Sequence, residues 1–170
     1  MRIRPGDTAD VPAVMAMFDE AVAWMVARGN TRQWGTEPWS AQPDKVASIR
    51  KRVEEADLWL AELDGLPAGA LITNDEPNTY VTPAGEPELF VNLLLVSRGH
   101  AGHEIGARLL AYARTLAEEK GVALIRVDCH RAEDERLIRY YERNGFVRTH
   151  QFTVGEWPGQ VLEQRLPTGR

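Results

Sequence analysis

The run from Phe90 to Ala117 leaves this chain few ways to fold. Phe90 to Val96 is apolar apart from Asn92, and it ends abruptly in a polar, glycine-bearing turn, Ser97 to Glu104. A helical pattern follows at once: Ile105, Leu109, Tyr112 and Leu116 recur on one face, with Leu110, Ala113 and Ala117 beside them. The reading is strand, tight turn, helix. Such a unit aims several backbone N–H groups and the positive end of a helix dipole at one point, which suits an anion such as a phosphate. Gly99, Gly102 and Gly106 permit close backbone approach. The same residues equally suit an ordinary strand-to-helix connection.

The bulk properties narrow the class. A chain of 170 residues predicts one domain over 1–170, large enough for a core without covalent staples. The net charge of −5, with no local run of Lys and Arg, argues against a nucleic-acid binder. A single cysteine, Cys129, excludes an internal disulfide framework and a cysteine-built metal site. The histidines at 100, 103, 130 and 150 form no ligand pattern, so no metal is expected. There is no apolar signal core at the N-terminus and no run near the ~20 apolar residues of a membrane span. The expectation is a cytoplasmic protein with no membrane partner.

Taken in order, Arg2 to Arg4 predicts an edge strand. A helix follows from the Asp10-Val11-Pro12 start to about Ala27, with Val14, Met17, Phe18, Ala21, Val22, Met25 and Val26 as its apolar stripe. The segment Thr31 to Pro43 is irregular but aromatic: Trp34 and Trp39 suit a pocket wall beside Glu37, or a plug at the end of the core. Asp44 to Ala56 predicts a helix. Leu58 to Leu63 and Leu66 to Thr73 predict a hairpin closed by Asp64-Gly65, and 74–88 a surface loop. Val122 to Cys129 predicts a strand parallel to Phe90–Val96, with Arg126 and Asp128 outward. Glu133 to Arg143 predicts a helix. Phe146 to Val154 and Val161 to Leu166 predict strands around Trp157-Pro158-Gly159. The class is α/β in the α+β sense, a mixed sheet with helices on both faces. Ligands of such sheets favour the carboxyl end of a strand at a topological switch, here the turn after Val96.

The helix ending Tyr141-Glu142-Arg143-Asn144-Gly145-Phe146, preceded by this strand, turn, helix and parallel strand, resembles the GCN5-related N-acetyltransferase (GNAT) superfamily over nearly the whole chain. The family's turn pattern, Arg or Gln, two free positions, Gly, one free position, Gly or Ala, falls on Ala101-Gly102-His103-Glu104-Ile105-Gly106. Gly106 matches; Ala101 replaces the basic residue and Glu104 the central glycine. The resemblance implies a mostly antiparallel sheet of about six or seven strands with about four helices and a splayed central parallel pair.

It also implies acetyl transfer from acetyl-CoA, used as a cosubstrate without metal, to a primary amine on a small molecule or peptide. Leu94, Leu95 and Val96 would pair with the pantetheine arm. The amides of His100, Ala101, Gly102, His103, Glu104, Ile105, Gly106 and Ala107 would hold the diphosphate. Asp134, where the family often carries asparagine, either meets coenzyme A or caps its helix. Tyr141 occupies the place of the proton donor to the leaving thiolate; the alternative is a packing tyrosine like Tyr140. No base is identified; Glu88, at the start of the strand, and Glu37, in the tryptophan loop, are the candidates. Trp34, Glu37, Trp39 and Asn92 are the acceptor-side candidates. A carboxylate ~5 Å from a phosphate charge would cost about 3 kcal/mol at an effective dielectric near 20, so Glu104 and Ala101 leave open a degenerate, non-catalytic binding module. The family occurs as monomers and homodimers, and nothing in the sequence marks an interface.

Overall fold

The computed structural model describes residues 1–167. It runs β1 (Arg2–Pro5), α1 (Val11–Ala27), α2 (Pro43–Glu55), β2 (Asp57–Leu63), β3 (Leu66–Asn74), β4 (Glu88–Val96), α3 (Ile105–Glu119), β5 (Leu124–His130), α4 (Arg136–Arg143), β6 (Val147–Val154) and β7 (Trp157–Arg165). The strand order is β1-β2-β3-β4-β5-β7-β6 in a seven-stranded sheet. The β4–β5 pair is parallel, while β1–β2, β5–β7 and β6–β7 are antiparallel. The described residues fall into two compact units, 1–72 with 93–109, and 73–92 with 110 onward.

In the first unit, charged groups at one end fix how the chain enters α1. Asp7 accepts the Ala9 N–H at 2.8 Å. Arg4 bonds both oxygens of Asp10, at 2.8 and 3.2 Å, and Glu62 at 2.6 Å. The bidentate fork ties β1, β2 and the helix start together. The apolar stripe of α1 is buried as its spacing requires, except Val26, which is exposed. It packs with Ile49 and Val53 of α2 against Leu58, Leu60, Ala70, Ile72, Leu93 and Leu95. The other face of β3 meets α3. A Cβ on Gly69 would lie 2.8 Å from Ile105 Cγ2 and 3.0 Å from Leu109 Cδ1, so only glycine lets the helix approach this closely. Asp64 (φ 52°) and Gly65 (φ 77°) both take left-handed backbone, as a two-residue type I′ hairpin demands.

In the second unit, the parallel ladder runs from Glu88↔Leu124 to Val91↔Val127. Beyond it β5 stays paired with β7 to His130↔Gly159. Val81 anchors the 75–87 loop by burying itself against Phe90 and Val161. Arg126, expected to point outward, is buried: its side chain is 5% exposed and that of Glu88 4%. Its guanidinium grips both Glu88 oxygens and donates to Thr82 O at 2.9 Å. The planar fork offsets the desolvation that kept arginine out of the expected core. Helix α4 starts at Arg136 rather than Glu133, because Glu135 takes left-handed backbone (φ 53°) and Asp134 Oδ1 accepts the Arg136 N–H at 3.2 Å. The last hairpin turns at Gly155-Glu156, not at Trp157–Gly159, which begin β7.

Candidate active site

The candidates expected from the sequence divide between the two units. In the first, β4 delivers Leu94, Leu95 and Val96. Leu95 is buried in the core, while Leu94 and Val96 are half-buried. The chain then turns through a short 3-10 segment, Arg98–His100. Gly102 (φ 91°) and Glu104 (φ 54°) take left-handed backbone before α3 begins. The first helical bond runs from Arg108 N to the carbonyl of Glu104, the residue just before α3, at 3.0 Å. The N–H groups of Ile105, Gly106 and Ala107 precede it, and their dipoles add at the helix start. Ala101, Gly102, His103 and Glu104 are exposed, whereas Ile105 and Gly106 are buried. The Glu104 side chain therefore stands in water, where solvent screens its charge.

Two residues the sequence did not single out shape this turn. Glu20 of α1 accepts the Ser97 hydroxyl at 2.9 Å and the Arg98 N–H at 3.1 Å. Trp24, one turn later, lies under the Arg98 guanidinium, 3.8 Å from ring centroid to Cζ. Within the turn, Arg98 Nε and His100 Nδ1 are buried and make no hydrogen bond. Two unbonded side-chain nitrogens in the turn that leads into a helix N-terminus suit an anionic ligand such as a diphosphate. The link from Glu20 spans 77 residues, which local patterning cannot show.

In the tryptophan loop, packing prevails and one side stays open. Trp39 stacks on Phe18 at 4.3 Å, Trp34 tilts against Phe18 at 4.9 Å, and Trp39 Nε1 donates to Trp34 O at 2.9 Å. The pair is thus a plug for the core around α1. Their outer edges line a cleft of about 420 Å³ with Arg32, Glu37 and Lys45.

In the second unit, α4 places Tyr141 inward. It is 4% exposed and meets Phe146 edge-on at 5.7 Å. Burial pushes its phenol well above the ordinary value, and Cys129, Tyr140 and Asp128 push the same way. The phenol is therefore held protonated, the state a donor needs. Burial also pushes the Cys129 thiol up to about 12, so it carries no nucleophilic thiolate near neutral pH. Asn92 donates to Asn78 Oδ1 at 2.9 Å. Glu88 is committed to Arg126 and cannot serve as a base. Asp134 is engaged at the start of α4. Among the described residues no group of three or more side chains could hold a metal, and no helix is long and apolar enough to cross a membrane.

Known proteins share this fold. The acetyltransferase (GNAT) family model matches residues 20–146. A search of curated proteins found no match. Among solved structures, the PaiA N-acetyltransferase of Thermoplasma acidophilum, in complex with coenzyme A, aligns with a TM-score of 0.71 at 19% identity, over 97% of this chain and 98% of its own. A putative acetyltransferase from Salmonella typhimurium with acetyl-CoA aligns at 0.65 and 18%, over 100% and 96%. A ribosomal-protein-alanine N-acetyltransferase from Brucella melitensis aligns at 0.66 and 19%, over 98% and 100%. At these identities the structures speak for the fold alone, while the family match covers most of the chain: it belongs to the GNAT acetyltransferase family.

Proposed function

We propose that this protein, as a single domain, transfers the acetyl group of acetyl-CoA directly to a primary amine. The observation that carries the reading is the turn before α3, which holds two unbonded side-chain nitrogens, of Arg98 and His100, and whose left-handed backbone at Gly102 and Glu104 leads into the helix start. The amides from Gly102 to Ala107 hold the diphosphate, those of His100 and Ala101 being already bonded to Ser97 O and Arg98 O at 3.1 and 3.4 Å, and the backbone of Leu94, Leu95 and Val96 pairs with the pantetheine arm. That pairing is supported by the ladder of β4, which reaches β5 only as far as Val91↔Val127 while the strand itself runs on to Val96.

A free alkylamine is about 99.9% protonated at pH 7 and must shed a proton before attack. With Glu88 held by Arg126 and Glu37 exposed in the tryptophan loop, the proton passes to water. The amine nitrogen then attacks the thioester carbonyl, a C–N bond forms and the C–S bond breaks. The departing thiolate takes the proton of Tyr141, which is restored from water. Trp34, Glu37, Trp39 and Asn92 stand on the acceptor side.

Thiol release across a panel of primary amines and amino-terminal peptides tests this. Amine-dependent release is the expected result. Stoichiometric acetyl-CoA binding without release by any acceptor would instead support the non-catalytic module that Ala101 and Glu104 suggest.

A further inference from the structure

A second recognition feature lies in the unit that carries Tyr141. Asn92 of β4 donates to Asn78 at 2.9 Å; Asn78 in turn donates to Tyr80 Oη at 3.0 Å and to Asp128 Oδ1 at 3.4 Å. This amide relay brings the phenol of Tyr80 and the carboxylate of Asp128 to one nitrogen. Asp128 is half-buried and Tyr80 is 43% exposed. The Tyr80 ring stacks on Phe152 at 5.2 Å, and Phe152 meets Trp157 at 6.1 Å. The row is fixed in place by the sheet. Phe152 pairs with Gly159, and Gly159 with His130, two residues from Asp128. A Cβ at Gly159 would lie 2.2 Å from the Phe152 ring, so the absence of a side chain there is what seats the ring.

A half-buried carboxylate beside aromatic rings is the chemistry that recognises an ammonium group. The anion takes N–H donors and the ring faces take the remaining positive charge. We propose that Asp128, positioned by the Asn92–Asn78 relay and walled by Tyr80, Phe152 and Trp157, takes the ammonium group of the acceptor. The acceptor is then a primary amine with an apolar or aromatic body. The inference rests on the amine-acetylation reading above and moves the charged contact from Glu37 to Asp128.

Calorimetric titration with phenethylammonium chloride, done with and without coenzyme A, tests it independently of turnover. The wild type binds. Asp128→Asn, which keeps the shape, weakens binding about tenfold or more. Tyr80→Ala, at an exposed position, weakens it about two- to fivefold. Both variants keep the wild-type melting temperature and acetyl-CoA affinity. No wild-type binding, or equal binding by Asp128→Asn, overturns the proposal. A wild type that binds phenethylammonium but neither binds acetyl-CoA nor releases thiol leaves this site standing and refutes the acetyl-transfer reading instead.

Discussion

Glu104 is the residue whose chemistry and backbone disagree most. Its φ of 54° lies where a side chain costs about 1–2 kcal/mol. Glycine would remove that strain and the carboxylate together. Glu104→Gly is therefore expected to raise stability by about 1 kcal/mol and, because water already screens the carboxylate, to tighten acetyl-CoA binding only modestly, read by thermal melting and calorimetry. Unchanged or weaker binding would show that Glu104 does not oppose the ligand. Tyr141 carries a second expectation of this kind. Tyr141→Phe keeps the buried ring and its contact with Phe146. The expected result is a turnover loss of about 10²-fold, as removal of a general acid gives, with acetyl-CoA affinity retained; near-normal turnover would make Tyr141 a packing residue only. Both residues could be found in the sequence because turn and helix ending are local patterns. The Asp128–Asn78 contact, 50 residues apart, and the Glu20–Ser97 contact could not, since nothing local records a partner so distant.

Among the helices and strands, the same distinction separates what sequence reading could reach from what it missed. The Asp64-Gly65 hairpin and the start of α3 follow from backbone preferences within a few residues. α4 starts later than its acidic prelude suggests, because Asp134 closes a turn and Glu135 goes left-handed. Arg126 of β5 is expected outward because it is charged, yet it is buried by a partner on β4 that is 38 residues away. The pair adds a side-chain tie between the two parallel strands. Removing one partner strands a buried charge, so Glu88→Ala is expected to cost about 3–5 kcal/mol, measured by urea unfolding. A loss below about 1 kcal/mol would mean that water reaches the arginine.

For the whole molecule, the buried protonated groups set an alkaline limit on stability. Cys129 and Tyr141 both have folded values raised above their ordinary 9.0 and 10.0. The native state therefore holds protons that the unfolded chain releases. Their stabilising contribution is complete below about pH 9 and falls as pH rises through the folded values. The melting temperature is expected to drop progressively from pH 9 toward 12, and Cys129→Ala to flatten the first part of the decline. A flat profile over that range would contradict the burial of both groups. The mixed sheet with a parallel pair was legible as a whole because strand, helix and strand in succession allow few topologies.

Whether the turn before α3 holds coenzyme A is decided by calorimetric titration of the wild-type protein with acetyl-CoA beside titration with ATP. Micromolar acetyl-CoA binding at one site, undisturbed by ATP and followed by amine-dependent thiol release, is the expected result. Failure to bind acetyl-CoA, or binding of ATP in its place, would contradict it.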